Sequence, residues 1–435
     1  DLFRRDWRPA RPLIFGEFSD SDDYRDPAAL LEDGQRPKWR DYFGIEGNLS
    51  RWAYSIQEDL MATNVLPFTD AQIAAISRKQ SFVVRKTILE RTRGRGEIGG
   101  YVLTGLRDTP MSSSGVFDDA GLNKYDPAEF RLFNSDAVLL LEQGRSRRWT
   151  NGGDRPYPAD LFNHRSGGQA SFRVVLSLTQ AARGGQYDEL AWRIGSVRGG
   201  HYGGKIHLDK SVTKLPCEIA RIEFKLPEVE RAEQWTFEVE LDGKLKNHWP
   251  MWIYPTLPPL DASVYDPAGT LGELQALPKA DFSGNEVVIA GAFTLELEAY
   301  LREGGRAVLI QMGAGALPTQ AVPFWRESIK LLCDHPIMNK FPHQGYADLQ
   351  FYHLATDQAF DTAAFGDMKV DHVMRRLDAR LFTMLDYIAD VRIGKGRMLA
   401  TTLRLFGGAG DQVAGLEANV AGEYVLHEMS HALDS

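Results

Sequence analysis

Two apolar runs in the first third of the chain end in charged side chains. Residues 12–15 lead through a glycine into Glu17, and residues 98–106 lead into Arg107 and Asp108. Each run predicts a short, fully buried strand. A parallel α/β barrel carries its chemistry at the carboxyl ends of its strands. The two stretches therefore predict one site at two strand ends, with Glu17 as its central carboxylate.

Glu17 needs a second carboxyl group if it is to hydrolyse a glycosidic bond. The two groups lie about 5 Å apart in enzymes that retain configuration and further apart in enzymes that invert it. The carboxylates available within the chain are those of Asp20, Asp108, Asp118 and Asp119. Their positions along the chain leave open whether one of them is the acid.

The segments PLIFGEFSD (residues 12–20) and GGYVLTGLRDTP (residues 99–110) resemble the seventh and eighth barrel strands of glycoside hydrolase family 2 and related clan A enzymes, which include β-galactosidases. The resemblance implies a retaining hydrolase of a β-linked glycan with Glu17 as the nucleophile. It also implies substrate-binding roles for Asp20, Arg107, Asp108, Asp118 and Asp119. The family's acid/base glutamate lies on strand four, which would precede residue 1. We therefore expect this chain to act with an upstream barrel segment or a partner chain.

An aromatic-rich segment follows Glu17 and contains Trp39 and Trp52. Loops at the carboxyl ends of barrel strands build substrate sites, and an indole ring there can stack on a sugar. These two rings are therefore predicted to bind substrate. The alternative is that they fill space beneath a long loop, because large aromatic side chains are usually buried packing.

The pattern along the chain changes twice and predicts a multidomain α/β plus β protein. Residues 1–145 hold the two strands and an amphipathic helix over 69–93, as in the C-terminal part of a (β/α)8 glycosidase barrel. Residues 146–255 hold short alternating strands, as in an immunoglobulin-like β-sandwich. Residues 256–435 alternate strands and helices, which favours a parallel sheet covered by helices.

The last part resembles the flavodoxin-like, glutamine-amidotransferase-like domain found attached to some β-galactosidases. Class I amidotransferases need a cysteine at a strand-to-helix turn. The corresponding strand end, residues 311–315, contains no cysteine, and Cys333 follows an apolar segment, residues 329–332, that is predicted to be helical. We expect a non-catalytic domain that packs against the others or mediates homo-oligomerisation. A later strand is predicted over residues 347–352.

A competing chemical motif lies near the end of the sequence, where His427, Glu428 and His431 form an HExxH pattern. Two histidines four residues apart lie on one face of a helix and can bind Zn²⁺, with the glutamate as base. A third ligand would have to come from earlier in the chain. The alternative, which we favour, is a helix that packs on the sheet and carries these side chains by coincidence.

Composition and charge restrict the classes of partner that the protein is expected to bind. The net charge of −9 without basic runs argues against nucleic acid as a partner. The sequence contains no run of eighteen apolar residues, so no membrane span is predicted. No phosphate-binding fingerprint occurs in a strand-turn-helix context, so no cofactor is expected. The chain begins at Asp1, so any signal peptide is expected to have been lost or to lie upstream. Two cysteines leave a cytoplasmic, periplasmic or extracellular location undecided.

The function predicted from the sequence is therefore that of a family 2 type glycoside hydrolase acting with retention. The alternative is a non-catalytic fragment that binds carbohydrate or builds an oligomer. Both rest largely on analogy of fold.

Overall fold

The structure, a computed structural model, describes residues 11–31, 34–35, 68–109, 112–143, 146–150, 153–157, 160–179, 182, 186–197, 199–208, 216–283, 286–322, 328–379, 382–408 and 414–434. Its helices within these ranges are α1 (Asp70–Arg93), α2 (Pro127–Arg131), α3 (Leu295–Arg302) and α4 (Val420–Asp434). No helix in the described ranges is both long and apolar enough to cross a membrane.

Strands predominate over helices, as the sequence predicts for a mixed protein. The strands are β1 (Leu13–Phe18), β2 (Ile98–Leu103), β3 (Ala137–Gln143), β4 (Ser146–Thr150), β5 (Gly153–Tyr157), β6 (Asn163–Arg165), β7 (Gln169–Leu178), β8 (Glu189–Ser196), β9 (His201–His207), β10 (Cys217–Lys225), β11 (Glu233–Leu241), β12 (Leu245–Tyr254), β13 (Ser263–Tyr265), β14 (Val287–Ala290), β15 (Arg306–Ile310), β16 (Thr319–Ala321), β17 (Ser328–Leu332), β18 (Gln358–Phe360), β19 (Lys369–Asp378), β20 (Met384–Ile393) and β21 (Gly396–Thr401).

The chain folds into two compact units. The first contains residues 1–144, 170–224 and 235–250, and the second contains residues 145–169, 225–234 and 251–435. Each unit is therefore built from segments that are separated in the sequence. The three-part division of the chain, with boundaries near residues 145 and 255, stays a prediction.

In the first unit, β1 and β2 pair in parallel and α1 lies between them in the sequence. Helix α1 begins with a capping box, in which the Thr69 hydroxyl accepts from the Gln72 amide and the Gln72 side chain accepts from the Thr69 amide at 2.8 Å. The helix predicted over 69–93 is thus confirmed. The prediction that the strands are fully buried is wrong: no residue of β1 or β2 is fully buried, and Ile14 is 65% exposed and Val102 is 57% exposed. Within the described ranges the two strands form a sheet of their own, so few neighbouring strands cover their side chains.

Two further sheets of the first unit stack on each other through aromatic side chains. One sheet has the order β10-β7-β3, and the other contains β12-β11-β8-β9. Across the stack, Phe172 lies 4.9 Å from Phe237 and Trp192 lies 5.1 Å from Phe224, measured between ring centroids. Pairing is antiparallel between β3 and β7 and along β11-β8-β9. Buried aromatics thus hold the core of this β-rich part.

The second unit is organised on a nine-stranded mixed sheet with the path β13-β14-β15-β21-β20-β18-β16 and with β17-β19 joined to β20. Strands β13, β14, β15 and β21 run parallel, and β20 is antiparallel to β21. Side chains on one face of the parallel strands, such as Leu309, pack in one core with Leu297 and Leu301 of α3. Side chains on the other face, such as Val308 and Leu399, are also buried. Both faces of the parallel strands are therefore covered.

Two local predictions in this unit are wrong. Residues 329–332, predicted to be helical, belong to strand β17, which pairs antiparallel with β19. Residues 347–352, predicted as a strand, contain the 3-10 helix Leu349–Phe351, because the Asp348 carboxylate accepts the Leu349 amide at 2.6 Å and caps the turn. Short apolar runs do not distinguish strand from helix by periodicity alone.

Candidate functional site

The loops that follow β1 and β2 are joined by hydrogen bonds into one polar cluster. The Asp22 carboxylate accepts the Ser113 amide at 2.9 Å, and the Ser113 hydroxyl donates to the Asp23 carbonyl at 2.7 Å. All three residues are buried. Because β1 and β2 are parallel, both loops leave the same edge of their sheet. The loops that follow the two strands are therefore in direct contact at this edge.

Lys124 is the centre of this cluster. Its ammonium lies 2.9 Å from Asp23 and 2.8 Å from Asp108, and its side chain is 1% exposed. Burial alone would lower the pKa of Lys124, but the two carboxylates raise it. Burial raises the pKa of Asp108 to about 6, against the opposing effect of Lys124. One ammonium shared by two buried carboxylates thus leaves Asp108 able to take up a proton near neutral pH.

Helix α1 supports the cluster with an arginine that is completely buried. Arg85 donates to the Tyr125 hydroxyl at 3.2 Å and also to the Ser114 carbonyl. The Tyr125 hydroxyl also lies 2.9 Å from the hydroxyl of Ser81. Ser81 precedes Arg85 by one turn on the same face of α1. The buried face of α1 is therefore apolar near its ends, at Ile73 and Leu89, but polar in the middle.

The predicted site residues Arg107, Asp118 and Asp119 lie on the rim of the cluster. Arg25 donates to the Asp119 carboxylate at 3.0 Å and 3.2 Å, and Arg107 donates to the Asp119 carbonyl. The Asp118 carboxylate accepts two amides of its own turn, at 3.0 Å and 2.9 Å, and lies 3.8 Å from Arg78. These carboxylates are occupied in shaping the loop.

Glu17 lies on β1 with an exposed side chain, and Asp20 is half-buried in the loop that follows. The strand end beside Glu17 is fixed to β2: the Phe18 amide donates to the Thr104 hydroxyl at 3.0 Å and the Thr104 amide donates to the Phe18 carbonyl at 3.1 Å. Trp39 and Trp52 lie outside the described residues.

The HExxH residues lie on α4, as predicted for a helix. His427 Nδ1 lies 3.9 Å from a carboxylate oxygen of Glu428, and His431 is exposed. Together with burial, Glu428 raises the pKa of Tyr424 on the same helix. In the part of the chain that the structure describes, no three His, Cys, Asp or Glu side chains are grouped so that they could hold a metal ion. The zinc alternative stays a prediction.

Nor does the strand-end loop of the second unit carry a nucleophile. Gln311 folds this loop by accepting the Leu317 amide at 3.3 Å and donating to the Leu317 carbonyl at 2.9 Å. Cys333 follows β17, and burial raises the pKa of its thiol to about 12. A thiol of this kind is a poor nucleophile, because the thiolate is the reactive form.

Comparison with known proteins adds one local match. A family model described as a domain of unknown function (DUF8488) matches residues 186–255, a range that contains β8 to β12. No curated protein matches the chain. The match covers less than half of the sequence, and its description names no activity.

Asp108 is predicted from the sequence as a site residue, whereas Lys124, Asp23 and Arg85 are not. Arg85 could have been found, because it lies four residues after Ser81 and four before Leu89 on the inward face of α1. A charged residue at an inward helix position indicates a buried partner. Lys124 and Asp23 lie in loops, where no periodicity marks the buried positions.

Proposed function

We propose that this chain carries the nucleophile of a retaining glycoside hydrolase of the family 2 type, with Glu17 in that role. The observation that supports the proposal best is the parallel pairing of β1 with β2 around an intervening long helix, with Glu17 exposed near the carboxyl end of β1. Parallel strands joined by a helix are the unit from which (β/α)8 barrels are built, and such barrels bind substrate at the carboxyl ends of their strands.

The buried ion pairs beneath the loops suit a site that must hold its geometry. Lys124, Asp23 and Asp108 fix the inner part of both loops, and Arg25 fixes the outer part through Asp119. Catalytic groups need to be positioned within fractions of an ångström by residues that are themselves locked. In this proposal Asp20 contacts substrate, whereas Asp108 acts through its buried ion pair with Lys124. Asp118, Asp119 and Arg107 act by shaping the rim.

The test is covalent labelling of the protein as it occurs in its source. A 2-deoxy-2-fluoro glycoside with a good leaving group accumulates as a glycosyl ester on the nucleophile of a retaining enzyme. We expect mass spectrometry of the digest to place the sugar on Glu17. Glu17→Gln is expected to abolish the label, and Glu230→Gln, which changes an exposed loop carboxylate, is expected to leave it unchanged.

A second measurement distinguishes loss of the nucleophile from loss of the fold. Glu17→Ala leaves room for azide, which can attack the sugar in place of the carboxylate and yields a glycosyl azide of inverted configuration. Azide-dependent turnover by Glu17→Ala supports the nucleophile role. Saccharide binding without label or turnover in the source protein would instead support the non-catalytic alternative, and a label on another carboxylate would remove Glu17 from the mechanism.

A further inference from the structure

A cavity of about 410 Å³ lies at the carboxyl edge of the parallel strands in the second unit. Its walls come from the loops after β13, β15 and β21, through residues such as Glu273, Met312 and Arg404. Open α/β sheets bind ligands outside the carboxyl ends of their strands. The volume falls within the range of roughly 300–1,000 Å³ that is typical of small-molecule sites.

The loops around the cavity are held by side chains that hydrogen-bond to backbone groups. Asp266 accepts the amides of Thr270 and Leu271 at 2.9 Å and 2.8 Å. Asn419 donates to the carbonyls of Phe406 and Gly415 at 3.0 Å and 2.7 Å, which joins both sides of the last loop. Described wall residues that are held in this way lower the cost of ordering that accompanies ligand binding.

Arg404 is the cationic group of the cavity. It is half-buried, and its guanidinium forms no hydrogen bond or ion pair with the residues that the structure describes, although its amide donates to the Leu354 carbonyl at 2.7 Å. A guanidinium presents a planar fork of donors that matches a carboxylate in two parallel hydrogen bonds. A half-buried guanidinium that pairs with none of the described residues is therefore suited to a carboxylate from outside the chain.

The remaining walls indicate what the rest of the ligand is. One oxygen of the Glu273 carboxylate accepts the Leu416 amide. The other accepts no hydrogen bond from the residues that the structure describes and can therefore accept a hydroxyl group. Phe406 and Met312 give the cavity apolar surface, against which the C–H face of a small ring can pack. The cavity therefore offers a cation, a hydroxyl acceptor and an apolar wall at one place.

We propose that this cavity binds a small hydroxylated carboxylate of the size of a single sugar acid, with the carboxylate on Arg404 and hydroxyl groups toward Glu273. The site uses no residue of the loops around Glu17 and does not depend on the glycosidase proposal. It gives the second unit a ligand-binding role in place of a purely structural one.

The test is calorimetric titration of the full chain with D-glucuronate, with D-glucose as the neutral analogue. We expect saturable binding of glucuronate and weaker binding of glucose. Arg404→Gln is expected to weaken glucuronate binding about tenfold to a hundredfold, because a charge-assisted hydrogen-bonded pair contributes about that much. Arg392→Gln, which changes an exposed arginine on β20 of the same sheet, is expected to leave the affinity unchanged.

Thermal unfolding of the variants separates binding from folding. Because the Arg404 guanidinium has no partner among the described residues, Arg404→Gln is expected to unfold at the wild-type temperature. Arg404→Lys keeps the charge without the planar fork and is expected to bind with intermediate affinity. The proposal is overturned by the absence of saturable glucuronate binding, by equal binding of glucose, or by unchanged affinity in a folded Arg404→Gln protein.

Discussion

Lys124 sits between two carboxylates in a place that water does not reach. Its side chain is 1% exposed, and those of Asp23 and Asp108 are 3% and 2% exposed. Burial opposes the ionised form of Asp108 more strongly than the charges of Lys124 and Arg25 favour it, so ionisation of Asp108 is costly at this poorly solvated site. The protonation state of Asp108 should therefore change the stability of the loop cluster within the ordinary pH range.

Asp108→Asn tests this coupling. The folded pKa of Asp108 is about 6, above the value of about 3.9 in unfolded chains. Between these values the folded state binds more protons, so the unfolding free energy of the wild type falls as pH rises from about 4 to about 6, by on the order of 3 kcal/mol from this group. The unfolding free energy of Asp108→Asn should lack this decrease between about pH 4 and pH 6. Urea unfolding at several pH values measures it.

A matched variant makes the comparison specific to burial. Asp188→Asn removes an exposed carboxylate from the same unit, and its unfolding free energy should follow the wild-type pH dependence. Equal pH profiles for the wild type and Asp108→Asn would contradict the assignment of a raised pKa to Asp108.

At the scale of elements, helix α4 approaches a loop so closely that one position admits no side chain. A Cβ atom added to Gly422 would lie 2.1 Å from the Leu405 carbonyl oxygen and 2.9 Å from its carbonyl carbon. The obstacle is backbone, which cannot rotate away as a side chain would. The glycine thus sets the distance between α4 and the loop that follows β21.

Gly422→Ala is therefore expected to destabilise the protein. Helix propensity alone would favour alanine by about 1 kcal/mol, but overpacking against a fixed backbone costs about 1–3 kcal/mol, so we expect a net loss. The control is Gly313→Ala, where an added Cβ meets no atom within 4 Å and the change should stay within about 0.5 kcal/mol. Thermal unfolding of both variants decides, and stabilisation by Gly422→Ala would contradict the close approach.

Helices and strands with a clear hydrophobic periodicity and a residue that marks their start or end could be predicted from the sequence. Contacts between side chains that are distant in the sequence could not. Helix α1 was marked by Thr69 at its start and by its apolar spacing, and strand β15 by an apolar run after a glycine pair. Residues 329–332 lacked both signals and were assigned to the wrong class. Asp108 was expected at a strand end, but its pairing with Lys124 depends on how the loop folds back, which no local pattern encodes.

At the scale of the whole molecule, the second unit includes residues 145–169 and 225–234 in addition to residues 251–435. These segments contribute buried contacts. The Asn163 amide donates to the Gln350 carbonyl at 3.1 Å, and the Tyr254 hydroxyl donates to the Gln350 side chain at 3.2 Å. The Tyr254 ring lies 5.0 Å from that of Tyr424 on α4. A fragment that begins after Tyr254 would lack all of these contacts.

We expect a fragment of residues 256–435 to be less stable than the same residues within the full chain. Gln350 is 1% exposed in the intact unit, and removing the partners of a buried polar group costs about 1–3 kcal/mol of unfolding free energy. The fragment also exposes one face of the Tyr424 ring to water, which lowers its stability further. Limited proteolysis measures the difference as earlier cleavage around Gln350 and α4 in the fragment. The full chain carrying Asn163→Ala is the matched comparison, because it removes one of these contacts and should show a smaller effect of the same sign. Equal resistance of fragment and full chain would instead make residue 255 a true domain boundary, because residues 256–435 would then hold their fold without any preceding segment.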